Sequence, residues 1–139
     1  MRTIDQELLD AAQQGNFSKV QECLEKGADV NIAGHGGGSK PIHYAVHANN
    51  QRMIRLLLDK GANVNDANNF GWTPLHCAAD DGNLEVVKLL VNEGADIHAT
   101  KPAARYGYGS HFLNFTMRSV ANLFGLGVTP LDVAKKGRT

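Results

Sequence analysis

The chain has 139 residues, 42% of them apolar and 20% charged, with 14 basic side chains balanced by 14 acidic ones. Its length suits one domain and its composition is that of a globular chain, while a net charge of zero lacks the basic footprint that binding to phosphate backbones requires, so nucleic acid is not an expected partner. The two cysteines, Cys23 and Cys77, match no metal spacing and cannot make the disulfide framework of a small secreted domain, which points to a reducing compartment.

The first residues, Met1 to Glu7, turn acidic before any apolar run begins, unlike an export signal. No apolar stretch approaches the ~20 residues of a membrane-spanning helix, so a cytoplasmic protein without membrane association is expected. In chain order, the first element is a helix pair opening near Gln6 and Glu7, with Cys23 toward the core and Glu22 on a polar outer face. Gly27-Ala28-Asp29-Val30-Asn31 closes it. The next segment, His35-Gly36-Gly37-Gly38-Ser39-Lys40, is a glycine-rich turn whose composition implies a mobile finger. Pro41-Ile42-His43-Tyr44-Ala45 then opens a second pair, which continues through Met53, Ile54, Leu56 and Leu57 and ends at Gly61.

A third pair follows Phe70, Gly71 and Trp72. Thr73 stands where a helix N-cap is wanted, and Pro74 takes the first helical position, whose missing N–H would be unpaired anyway. Leu75, Ala78 and Ala79 recur on one helical face, Gly82 breaks the helix, and Leu84, Val86, Val87, Leu89 and Leu90 make the apolar face of the next. Gly94 supplies the left-handed turn that ends it.

The Gly27–Asn31 block returns as Gly61-Ala62-Asn63-Val64-Asn65 and as Gly94-Ala95-Asp96-Ile97-His98, 34 and 33 residues later. Thr73-Pro74-Leu75-His76-Cys77-Ala78-Ala79 has counterparts in Pro41–Ala45 and in Thr129-Pro130-Leu131-Asp132-Val133-Ala134. This period and these two blocks closely resemble the ankyrin repeat, over residues of about 3–98 and again 128–138.

The resemblance implies an all-α solenoid of stacked helix–turn–helix units with projecting β-turn fingers. One domain over residues 1–139 is expected, with repeats at about 3–33, 34–67, 68–100 and 128–139 and an insertion at about 101–127. The first repeat, with Gln6 and Glu7 in place of Thr-Pro and a polar outer face, reads as a capping repeat at an N-terminus. The last ends after one helix, as a lone cap or in a shortened chain.

From Lys101 to Ser110 the insertion is irregular, with Tyr106 and Tyr108 spaced by glycine. Beyond it, Phe112, Leu113, Val120, Leu123 and Phe124 share one helical face while Asn114, Arg118 and Asn122 line another, an amphipathic helix that needs a surface to lie on. It packs on its own stack and partly replaces the missing last helix in one reading, binds a partner in a second, and associates with a membrane in a third.

Catalytic readings fail on context. The His35–Lys40 glycines lack the Gly-x-Ser-x-Gly of a lipase-like hydrolase and the Gly-Lys-Ser/Thr of a phosphate loop. His43 and His47 stand four residues apart, a spacing a helical zinc site can use, but no third ligand is evident. Asp80 and Asp81 are adjacent and point about 100° apart, which does not make an acid–base pair. No cofactor, metal or catalytic residue is expected.

The family likeness gives His43 and His76 a structural role, bonding to neighbouring backbone, and places binding on turn tips and the concave face of the first helices. Carried over by position, this selects His35, Ser39, Lys40, Asn69, Phe70 and Trp72 on the turns. Along the groove it selects Gln13, Gln14, Tyr44, His47, Ala48, Cys77, Asp80 and Asp81, with Tyr106 and Tyr108 added from the insertion. The expected function is a monomeric, non-catalytic module that binds a protein or peptide, in the cytoplasm or, for a secreted bacterial effector, in a host cytosol. Two alternatives stand beside it: a spacer or fragment of a larger scaffold, and an enzyme using Tyr106, Tyr108, His111 and Arg118 of the insertion.

Overall fold

Three pairs of short helices follow one another, each pair opened by an inner helix whose third residue accepts the N–H of the cap residue with its side chain, and closed by a left-handed glycine. The computed structural model describes residues 3–98, in which six helices and no strand occur. They are α1 (Ile4–Gln14), α2 (Phe17–Glu25), α3 (Pro41–His47), α4 (Gln51–Asp59), α5 (Pro74–Asp80) and α6 (Leu84–Asn92). Inner helices α1, α3 and α5 touch in succession, and each carries its outer helix behind it. The expected insertion, the amphipathic helix expected in it and the partial repeat expected at 128–139 lie outside the described residues.

Helices this short fall below the ~12–15 residues at which an isolated helix holds together in water, so caps and packing make them. In α5 the Thr73 hydroxyl accepts the His76 N–H at 3.3 Å, and His76 Nδ1 accepts the Thr73 N–H at 3.1 Å. α1 repeats the reciprocal arrangement with Thr3 and Gln6, at 3.2 and 3.1 Å. Thr3 therefore starts the first helix at Ile4, before the Gln6 expected from the repeat, and α1 runs to 11 residues where α3 and α5 have 7. The outer helices α2 and α4 are capped by Asn16 and Asn50, whose side chains accept the N–H of Lys19 and Met53, both at 3.1 Å.

The reversal between inner and outer helix needs a left-handed residue, met by Gly15 and Gly82 and, in the second pair, by Asn49 at φ 53°. Amphipathic faces then close on one core. Leu8, Ala11 and Ala12 of α1 meet Val20 and Cys23 of α2; Ile42, Ala45 and Val46 meet Met53, Ile54 and Leu57; Leu75 and Ala78 meet Val86, Val87 and Leu90. Each large apolar side chain so buried stabilises by roughly 1.5–3 kcal/mol.

The turns after the outer helices are tied to one another by side-chain amides. Asp29 and Asn63 each accept the N–H two residues on, at 2.9 and 3.0 Å, which folds their own turn. Asn31 then reaches across: its Oδ1 accepts the Asn63 N–H at 3.0 Å and its Nδ2 donates to the Gly61 carbonyl at 3.3 Å. Asn65 does the same to Asp96 and Gly94, at 2.7 and 3.3 Å. The equivalent residue in the third copy is His98, which has no carboxamide to continue the ladder.

Candidate protein-interaction surface

The C-terminal ends of the inner helices bring together the exposed residues Gln13 and Gln14 of α1, His47 and Ala48 at the end of α3, and Asp80 and Asp81 at the end of α5. His47 Nδ1 lies 3.0 Å from Asp81 Oδ2, joining the second copy to the third. Asp80 and Asp81 thus part company: Asp81 faces an imidazole, while Asp80 stands exposed beside it. An exposed pair of this kind contributes about 0–1 kcal/mol to stability, so it shapes the surface more than it holds the fold.

Two groove assignments change. Cys77, expected to face the groove, is 2% exposed and belongs to the hydrophobic core cluster, so its thiol is not a surface group. Tyr44, at the same position of the second copy, is half-buried and packs against that core. Its hydroxyl comes close to Gly34, where a Cβ would lie 3.3 Å away.

At the turns, the finger expected to be mobile is docked. Gly34 N–H donates to the Ser39 carbonyl at 2.9 Å, closing the loop, with Gly36 and Gly38 at φ 78° and 68°. Asn69 of the next finger donates its backbone N–H to the Gly37 carbonyl at 2.9 Å and its side-chain amide to the Gly36 carbonyl at 3.1 Å. The glycines serve this close approach: a Cβ on Gly37 would fall 2.9 Å from the Phe70 ring, and one on Gly38 2.5 Å from Asn69 Oδ1.

Lys40, assigned to partner contact, is instead a strut between fingers. Its ammonium sits 3.1 Å from Asp66 and donates to the Ala67 carbonyl at 3.2 Å, with both charged side chains largely covered. Trp72 is half-buried and meets His76 edge-on at 6.2 Å. His35 is exposed, and Phe70 is the large apolar side chain most open to solvent among the described residues, at 53%. Tyr106 and Tyr108 lie outside the described residues.

The histidines of the repeat motif do structural work. His43 Nδ1 accepts the Lys40 N–H at 3.0 Å, which fixes the proton on Nε2, and that nitrogen donates to the Trp72 carbonyl at 2.9 Å in the next copy. Burial holds its pKa below the ordinary imidazole value, outweighing the Trp72 carbonyl, so the ring is neutral. With both nitrogens engaged, His43 offers no lone pair to a metal beside His47. Cys23 is fully buried, and burial pushes its thiol pKa up.

Sequence reasoning did not single out Asp66, Asn31 or Asn65 as bridging residues. The recurrence of asparagine at the end of the first two Gly-Ala-x-Val-Asn blocks was the available signal.

These features define a class: a repeat protein whose copies are joined side by side through core, fingers and ladder, with exposed side chains along one edge. A family model for ankyrin repeats in three copies matches residues 8–101, and the chain belongs to that family. It is 43% identical over 58 residues to the 2-5A-dependent ribonuclease of Mus musculus, a match spanning 42% of this chain and 8% of that protein. Myotrophin of Xenopus tropicalis is 40% identical over 59 residues, 42% of this chain and 49% of the relative. A putative ankyrin repeat protein of Fowlpox virus is 35% identical over 65 residues, 47% and 16%. The chain thus spans at most about half the length of these relatives, and the likeness lies in the repeats. Ankyrin repeats generally mediate protein–protein interaction and are typically non-catalytic. No described helix is long and apolar enough to cross a membrane.

Proposed function

We propose that this protein is a non-catalytic interaction module that binds a protein or peptide along the exposed ends of its inner helices and over the fingertips bearing His35 and Phe70. The observation that carries the reading is the His47–Asp81 contact at 3.0 Å, with Asp80 exposed next to it. It sets polar groups from two copies on one accessible line while the motif histidines and Lys40 are consumed inside the stack. The acidic end of that line suits a partner presenting a basic group, and the half-open Phe70 ring suits an apolar side chain beside it.

The reading takes the protein as a monomer in the cytosol, or in a host cytosol as a secreted effector. Support for a reducing setting comes from Cys23 and Cys77, both buried and neither in a disulfide. The test is affinity capture with quantitative mass spectrometry, using the intact chain, Asp80→Lys with Asp81→Lys, and Glu85→Lys with Glu93→Lys, both exposed on and at the end of the outer helix α6, as a charge-matched control. Partners retained by the Glu85/Glu93 variant but lost by the Asp80/Asp81 variant are expected. Equal capture by all three would sink the groove reading.

A further inference from the structure

Each inner helix is joined to its outer helix by a reversal with a left-handed pivot, and two of the three pivots are glycine, Gly15 at φ 73° and Gly82 at φ 72°. The middle pivot is Asn49 at φ 53°. Asparagine is among the few side chains that tolerate this region, yet glycine enters it without steric cost, so backbone geometry favours glycine here as in the other two pairs. Nor does the fold use the side chain. The neighbouring Asn50 caps α4 by accepting the Met53 N–H at 3.1 Å, as Asn16 caps α2. Asn49 bonds through its backbone, its N–H donating to the Val46 carbonyl at 2.9 Å. Its carboxamide is exposed and makes no hydrogen bond among the described residues.

We infer that Asn49 is a contact residue, which reads the main chain of an extended peptide lying across the inner-helix ends. It stands two residues beyond His47, whose ring meets Asp81 of the third copy at 3.0 Å, so it belongs to the same exposed row. Its counterparts on either side, Gly15 and Gly82, present no side chain, and no described atom lies within 4 Å of where a Cβ on either would sit. The carboxamide therefore projects from a row that is bare on both sides, where another backbone has room to approach. A carboxamide carries an acceptor oxygen and two N–H donors, and so pairs with both the N–H and the C=O of one peptide unit. In a helix or a sheet interior those groups are already bonded, so the segment that offers them is unpaired, extended chain. The inference rests on the reading of the inner-helix ends as the binding surface, and adds to it the form of the partner: an extended segment with a basic side chain for Asp80 and Asp81 and a free amide for Asn49.

The probe is a synthetic peptide, selected on the intact chain from a random library displayed on phage, with its affinity measured by calorimetry. Asn49→Gly raises the urea midpoint and Asn49→Ala lowers it, because the first variant relieves the left-handed backbone and the second keeps it without asparagine's tolerance. Both nevertheless weaken the peptide, by about two- to tenfold, the worth of one hydrogen-bonded unit. A peptide N-methylated at the contacted amide loses a similar factor on the intact chain and nothing further on Asn49→Gly. Affinities unchanged in both variants, affinities that follow the midpoints, or N-methyl losses that add to Asn49→Gly at every position overturn the inference. So does a library that yields no binding peptide, because an extended segment is the partner it names. Asp80→Lys with Asp81→Lys separates it from the reading it rests on. Loss in that variant with normal binding by both Asn49 variants overturns the inference and leaves the groove reading in place. Loss in the Asn49 variants alone upholds the inference and removes the acidic end from the site.

Discussion

Gly38 and His43 show how much of the stack is decided by single atoms. At Gly38 a methyl group meets two obstacles, a backbone at φ 68° and an Asn69 side chain 2.5 Å from where the Cβ would sit. Asn69 cannot swing away without giving up its bond to the Gly36 carbonyl. Gly38→Ala should therefore lower stability by about 2–3 kcal/mol, whereas Gly36→Ala, equally left-handed at φ 78° but in open space, should cost only about 1 kcal/mol. Urea midpoints at constant slope measure both.

His43 is held neutral by burial, with a pKa below its ordinary value of 6.5. Protonation thus favours the unfolded chain: the contribution of this group is complete above pH 6.5 and is lost as the pH falls through the folded value. Unfolding free energy should decline on acidification below about pH 6.5, and His43→Gln should flatten that decline while costing about 1–3 kcal/mol at neutral pH. An unaltered slope in the variant would assign the decline to other groups.

At the scale of the element, the helices were legible and the contacts between copies were not. Thr73 and Pro74 announce α5 as cap and first residue, Gly82 and Gly94 announce its turn and the end of α6, and the spacing of Met53, Ile54 and Leu57 declares the buried side of α4. These are local signals, read within one turn of helix. The Lys40–Asp66 strut, the His47–Asp81 contact and the Asn69 bonds join residues 26 to 34 positions apart, and no local pattern fixes which side chains meet across that distance. Cys77 was placed in the groove by its position in the repeat, whereas its side chain is buried in the core cluster, which the position alone does not reveal. The Asn65 bridge tests the ladder in isolation. Asn65→Ala removes the acceptor for the Asp96 N–H and the donor to the Gly94 carbonyl, both near water, so the expected cost is about 1 kcal/mol. Faster amide exchange at Asp96, with Asn63 unaffected on the other side, is the signature to look for.

Over the whole molecule, each helix pair leans on its neighbours, so stability is a sum of copies and the interfaces between them. Leu57 is fully buried in the middle copy. Leu57→Ala should cost about 2–5 kcal/mol and broaden the thermal transition, because the first and third copies lose their common support. A transition that shifts without broadening would mean the three copies melt as one block. The docked fingers carry a different consequence, for variation and not for stability. Gly37 and Gly38 leave room for Phe70 and Asn69, so neither fingertip can be exchanged without regard to the other. A library that randomises one finger alone will return mostly the starting residues, whereas one that varies positions 37, 38, 69 and 70 jointly can reach new pairings, and those four positions should drift together among the protein's descendants.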